Sequence, residues 1–207
     1  MKRTVEVRLR PDVQSIMFLF SMNQGKIMKI SKFGMLGVAG IAMFALGIAK
    51  GADSNSSQPT TLKAVAELKP AKNSKVKGTV LFVQENAGVH VTAEVTGLTP
   101  GEHGFHIHEK GDCSAADFSS AGGHFNPSHK PHGGMESMEH HAGDLGNLTA
   151  DATGKAHLDF VSHDLSLDGT NSVVGRSVIV HANRDDLVSQ PAGNAGPRIA
   201  CGAIELK

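Results

Sequence analysis

Eight of the chain's twelve histidines fall between His103 and His141, inside a stretch, residues 97–146, that holds ten glycines. Glycine averages about 7% of residues, so this density disfavours regular structure. Clustered imidazoles beside carboxylates are also hard to explain by packing alone, because each buried ring has two nitrogens that need partners. The chain must therefore fold into a scaffold rigid enough to hold long polar loops, and long loops inside a compact domain are usually functional.

The remaining sequence says what that scaffold is made of. There is no Trp or Tyr and there are nine Phe among 207 residues, so Val, Ile, Leu and Ala must supply the core. Residues 89–95 (Val-His-Val-Thr-Ala-Glu-Val) alternate apolar and polar with period two. Residues 76–84 are rich in Val, Leu and Phe, and Asn86-Ala87-Gly88 between the two runs is turn material, so they predict a β-hairpin. Gly97-Leu98-Thr99-Pro100-Gly101 makes a second turn and leads into Phe105-His106-Ile107-His108. Further short strands are predicted at 155–163, 177–182 and 199–206, and no helical stripe stands out in the body. These signals predict an all-β fold, a Greek-key β-barrel or flattened sandwich of about eight antiparallel strands with long metal-binding loops.

A net charge of zero conceals two unlike parts. Residues 1–52 carry +6 and the remainder carries −6, which argues against nucleic acid as a partner. Lys26, Lys29 and Lys32 precede a charge-free run at 33–49, which ends on small residues such as Gly47 and Ala49 placed for cleavage after Ala49, the order of a secretory signal peptide. We expect an N-terminal extension and signal peptide at 1–52, with residues 1–21 upstream of the signal proper. An Asn/Ser/Pro-containing linker at 53–60 and a folded domain at 61–207 follow. Seventeen apolar residues sit at the lower limit for a membrane span, so an uncleaved anchor is the alternative to an exported, periplasmic or extracellular protein with no stable membrane association. Two cysteines, Cys113 and Cys201, in an oxidising compartment read as one disulfide. Closing a loop of that length stabilises by roughly 4 to 5 kcal/mol in the chain-entropy account.

His106 and His108 are two apart on a predicted strand, so both point to one face with roots about 7 Å apart and can reach one ion. His181, on another predicted strand, can supply a third donor. His124, His132, His141 and Asp144 offer three imidazoles and a carboxylate, a set that suits tetrahedral zinc. Ligand type alone leaves copper, iron and zinc open for the first group. His90, His103, His157 and His163 read as exposed strand or turn residues, and His129 and His140 as surface loop. Met135 and Met138 read as flexible loop filler, with soft ligation of Cu(I) as the alternative.

The motifs Gly104-Phe105-His106-Ile107-His108, Gly122-Gly123-His124-Phe125-Asn126-Pro127, His132-Gly133-Gly134, His141-Ala142-Gly143-Asp144 and Gly196-Pro197-Arg198-Ile199-Ala200-Cys201-Gly202 resemble the copper/zinc superoxide dismutases. The position of Cys113, five residues after His108, looks like the exported bacterial branch. The resemblance implies copper on His106, His108, His124 and His181, and zinc on His124, His132, His141 and Asp144, one of each metal per subunit. His124 would bridge the two metals and deliver a proton. Asp185 would link a copper imidazole to a zinc imidazole, Arg198 would draw the anion, and Cys113 would pair with Cys201. The implied reaction is dismutation of superoxide by a copper that alternates between two oxidation states; a redox-silent copper and zinc binding or delivery protein is the other reading. The segment between Asp185 and Arg198 lacks the steering charges of eukaryotic members, leaving Lys110, Lys130 or Arg184 as substitutes. A homodimer is allowed, without the eukaryotic arrangement being carried over.

Overall fold

The alternation at 89–95 becomes a strand whose Val89, Val91, Ala93 and Val95 are buried while the residues between them face outward. The computed structural model describes residues 61–207, so the expected leader and linker lie outside the described residues. Eight strands form: β1 (Lys63–Pro70), β2 (Lys77–Glu85), β3 (Gly88–Thr96), β4 (Gly101–His108), β5 (Asp144–Ala150), β6 (Lys155–Ser162), β7 (Ser177–His181) and β8 (Arg198–Leu206). Their spatial order is β5-β4-β7-β8-β1-β2-β3-β6, with every pairing antiparallel. After the β1–β2–β3 meander the chain crosses to β4, and β6 later returns to lie against β3, a Greek-key connection. The two ends of this order, β5 and β6, are consecutive in the chain and joined by a tight turn in which the Asp151 amide donates to the Lys155 carbonyl. The result is a nearly closed eight-stranded barrel, as expected, with a single 3-10 turn at Ser119–Ala121 and no α-helix among the described residues.

Strand parity decides where the site sits. On β4, Phe105 and Ile107 enter the apolar core with Val178 and Val180 of β7. His106 and His108, alternating with them, are therefore delivered to the opposite face. Burying a side chain such as Phe105 stabilises by about 1.5 to 3 kcal/mol, so the apolar half of this strand fixes the direction of its polar half. Ile179 also points away from the main core, into a small cluster with Cys201, Phe118 and Ala121 that seats the loop before His124. The register shifts between Gly104 and His106 and again between Val180 and His181, so an irregularity adjoins both imidazoles. Such bulges re-aim side chains.

Two strands went unread in the sequence. The buried face of β1 is Ala64, Ala66 and Leu68, and alanine is a weak strand former. The segment of β5 is Asp-Leu-Gly-Asn-Leu-Thr-Ala, three of whose first four residues are poor in strands. Both are held by pairing on β2, β8 and β4 rather than by local preference.

Candidate metal centre

The loop at 109–143 leaves β4 and returns as β5, and the loop at 182–197 joins β7 to β8. Both pack over the outer face of β4. Cys113 and Cys201 are bonded, with 5.9 Å between their Cα atoms, which fastens the first loop to β8. Within these loops and strands, two groups of donors converge: His106, His108, His124 and His181, and His124, His132, His141 and Asp144. All are buried, and in each group the candidate ligand atoms lie within 4.8 Å of one another. His124 belongs to both.

Each ring is held from behind by one nitrogen. His108 Nδ1 donates to the Gly122 carbonyl (2.9 Å) and His181 Nδ1 to the Gly196 carbonyl (3.0 Å). His106 Nε2 donates to Asp185 Oδ2 (2.7 Å). The other nitrogens, His106 Nδ1, His108 Nε2, His124 Nε2 and His181 Nε2, are buried without any hydrogen-bond partner. Buried polar atoms are rarely left unpaired, and four such lone pairs aimed at one point are explained by a metal ion. In the second group Asp144 Oδ1 lies 2.8 Å from His124 Nδ1, 3.0 Å from His132 Nδ1 and 3.2 Å from His141 Nδ1. Three imidazoles and one carboxylate around a common point are a closed tetrahedral set, which suits zinc.

Asp185 ties the groups together. Its Oδ2 accepts from His106 and its Oδ1 from His132 Nε2 at 3.0 Å. Asn147 of β5, which sequence reasoning missed, brackets it: Asn147 Oδ1 accepts from the Asp185 amide and its Nδ2 donates to the Asp185 carbonyl. Gly193 packs so closely that a Cβ there would overlap the Asp185 carboxylate, and its φ of +62° also favours glycine.

Electrostatics separate the two groups. Burial pushes His106 down to about 4 despite Asp185, and pushes His108 to about 2 and His181 to about 3. These rings are neutral ligands-in-waiting at neutral pH. Burial acts on His132 in the same direction, but Asp144 and Asp185 on its two nitrogens outweigh it and lift the ring to about 9. Burial would raise both carboxyls, yet their histidine partners hold Asp144 and Asp185 well below the usual carboxylate range.

A cavity of about 640 Å³ opens over His108, His124 and His181, and Arg198 lines it. Arg198 Nη1 donates to the Phe118 carbonyl (2.6 Å) and Nη2 to the Gly122 carbonyl (2.7 Å). Several expectations need correction here. His103 is buried, not exposed: its Nδ1 donates to the carbonyl of His181 (2.9 Å) and its Nε2 lies 2.9 Å from the Thr99 carbonyl. His140 is also buried, donating from Nδ1 to the His141 carbonyl (2.8 Å), whereas His129 is exposed as expected. Of the substitute steering charges, Arg184 is paired with Glu102 (2.7 Å), and Lys110 and Lys130 do not line the cavity. Arg176, which was not singled out, does line it.

The family model for copper/zinc superoxide dismutase matches residues 76–204. The chain belongs to the copper/zinc superoxide dismutase family. It is 46% identical over 153 residues to superoxide dismutase (Cu-Zn) 2 of Mesembryanthemum crystallinum, an alignment covering 70% of this chain and 96% of that protein. It is 43% identical over 155 residues to the extracellular superoxide dismutase (Cu-Zn) of Brugia pahangi, covering 70% and 77%. A crystal structure described as that of the clock protein EA4 superposes with a TM-score of 0.65 at 42% identity, covering 70% of this chain and 95% of that one. Copper and zinc are the metals of this family, and the two donor groups fit them.

Proposed function

We propose that this protein converts two superoxide anions and two protons into O₂ and H₂O₂, with copper held by His106, His108, His124 and His181 and zinc by His124, His132, His141 and Asp144. The observation that carries this reading is the pair of donor groups sharing His124 beneath a cavity that Arg198 lines. Copper, when bound, supplies the one-electron exchange on which dismutation depends. Everything else falls to side chains. Arg198, fixed by the Phe118 and Gly122 carbonyls, offers a cation to the incoming anion. His124, whose Nδ1 faces Asp144, can hold a proton at Nε2 beside the cavity. Asp185 fixes the rings of His106 and His132 together, and zinc, lacking redox chemistry, orders the second loop.

A redox-silent storage or delivery protein would need the donors but no anion guide, so Arg198 favours the enzyme. Superoxide removal by the copper- and zinc-loaded protein decides between them. We expect activity that a chelator abolishes; negligible activity with both metals bound would establish the binding protein instead.

The layout proposed for the chain is a cleaved leader within 1–52, a linker at 53–60 and a catalytic domain at 61–207 that works free of the membrane. Export is supported by the Cys113–Cys201 bond, because such bonds persist in oxidising compartments. A periplasmic location in the bacterial branch is supported by the short spacing from His108 to Cys113. Native mass spectrometry of the mature protein tests the N-terminus, metal content and monomer or homodimer state together.

A further inference from the structure

The loop that covers the site brings no cation to it. Between Asp186 and Gly196 the charged residue is Asp186 itself, whose carboxylate is occupied by the Val188 and Ser189 amides, the Ser189 hydroxyl and Asn194. Arg184 is neutralised by Glu102. The charged side chains that line the cavity among the described residues are Arg198, Arg176 and Glu109.

Arg176 is held as firmly as Arg198. Its Nε donates to the Ser172 carbonyl (2.8 Å) and its Nη1 to the Glu109 carbonyl (3.0 Å). Its guanidinium lies 3.6 Å over the Phe125 ring. Phe125 follows His124 and Glu109 follows His108, so the arginine stands one residue beyond two imidazoles of the first donor group. Its Nη2 has no hydrogen-bond partner among the described residues. A rigid, half-buried guanidinium with a free donor edge lining a cavity focuses attraction on small anions. The Glu109 side chain lines the same cavity and works against it.

We propose that Arg176 is a second anion-guiding residue and that Glu109 is its counterweight, so that this pair sets how strongly the cavity attracts a small monoanion. The inference rests on the dismutase reading for its substrate, superoxide. With neutral imidazoles the lining charges sum to one positive charge: removing Arg176 leaves none, and neutralising Glu109 leaves two. A structural role for Arg176, tying the Ser172 turn to β4, would not respond to Glu109 in this way.

The test uses copper- and zinc-loaded protein with metal content verified, comparing wild type with Arg176→Gln, Arg176→Lys, Glu109→Gln and the Arg176→Gln/Glu109→Gln double variant. The readouts are kcat/KM for superoxide and, independently of turnover, the dissociation constant of azide from the visible absorbance. At ~10 mM ionic strength, Arg176→Gln should lower kcat/KM by about 2- to 5-fold and weaken azide to a similar degree. Glu109→Gln should raise both, Arg176→Lys should stay near wild type, and the double variant should return toward it. These differences should shrink toward ~150 mM, where the Debye length falls to about 8 Å. Unchanged values in Arg176→Gln at low salt would overturn the proposal, as would a loss that is equal in Arg176→Lys, independent of salt and not relieved by Glu109→Gln. If wild type does not remove superoxide, the dismutase reading fails, while the azide series still decides on the charge pair.

Discussion

Arg198 and His108 donate to the same oxygen, the carbonyl of Gly122, at 2.7 Å and 2.9 Å. The proposed anion guide and an imidazole of the proposed copper group are thereby referenced to one backbone atom, and an error in the loop at 109–123 would displace both. The arginine donates its side-chain hydrogen bonds to carbonyls rather than carboxylates, so it keeps its charge for a ligand. Arg198→Ala should keep both metals and lower kcat/KM by about 100-fold, the low end of the roughly 100- to 1000-fold cost of removing a pre-organised donor to a developing anion. Steady kinetics with unchanged kcat/KM and full metal content would remove Arg198 from the mechanism.

The Cys113–Cys201 bond acts on the same arginine from both sides. Cys201 is three residues after Arg198 on β8, and Cys113 begins the segment whose Phe118 and Gly122 carbonyls receive its guanidinium. Cys113→Ser should therefore lower unfolding stability by about 4 kcal/mol in denaturant titration. It should also cut kcat/KM before it costs copper, because His108 retains its place on β4. Simultaneous loss of copper and activity would show that the bond holds the ligands rather than the guide.

What could be read from the residues, and what could not, follows from where the determinants lie. The alternation of β3, the His-x-His of β4 and the apolar run before His181 carry their parity in side-chain type, so those strands and their polar faces were legible. β5 was not, because its strand-poor residues serve the site: Asp144 faces three imidazoles and Asn147 brackets Asp185. His103 read as exposed because its partner is a backbone carbonyl, and carbonyls leave no mark in the residue types. Arg176 escaped notice for a related reason, since its place in the cavity depends on the loop at 163–176 folding back against Phe125 and Glu109.

Asp185 receives one hydrogen bond from each metal group, so it should couple them. In Asp185→Asn the amide can accept from one ring but cannot serve two donors with two equivalent oxygens. Zinc affinity should fall by about 10- to 100-fold, and copper affinity with it, as is typical when a partner behind a ligating histidine is lost. Competition with a chromophoric chelator measures both. A drop confined to one metal would show that the carboxylate orients one ring and merely touches the other.

In the metal-free protein His132 is fully buried between Asp144 and Asp185 and is lifted from 6.5 to about 9. The folded state thus binds this proton more tightly than the unfolded chain does. The stabilisation is complete below the unfolded value of 6.5 and is lost as pH rises through about 9. The Tm of metal-free protein should accordingly fall across that window, with the rest of the pH profile subtracted by a His132→Gln variant. Zinc needs the neutral ring, so at pH 7 its binding must expel that proton, and zinc affinity should rise with pH until about 9. The copper imidazoles behave oppositely: His106, His108 and His181, at about 4, 2 and 3, are already neutral and release nothing. Calorimetry in buffers of different ionisation enthalpy should find about one proton released per zinc at pH 7 and about none above pH 10. Equal release at both pH values would mean that the two carboxylates do not hold His132 protonated.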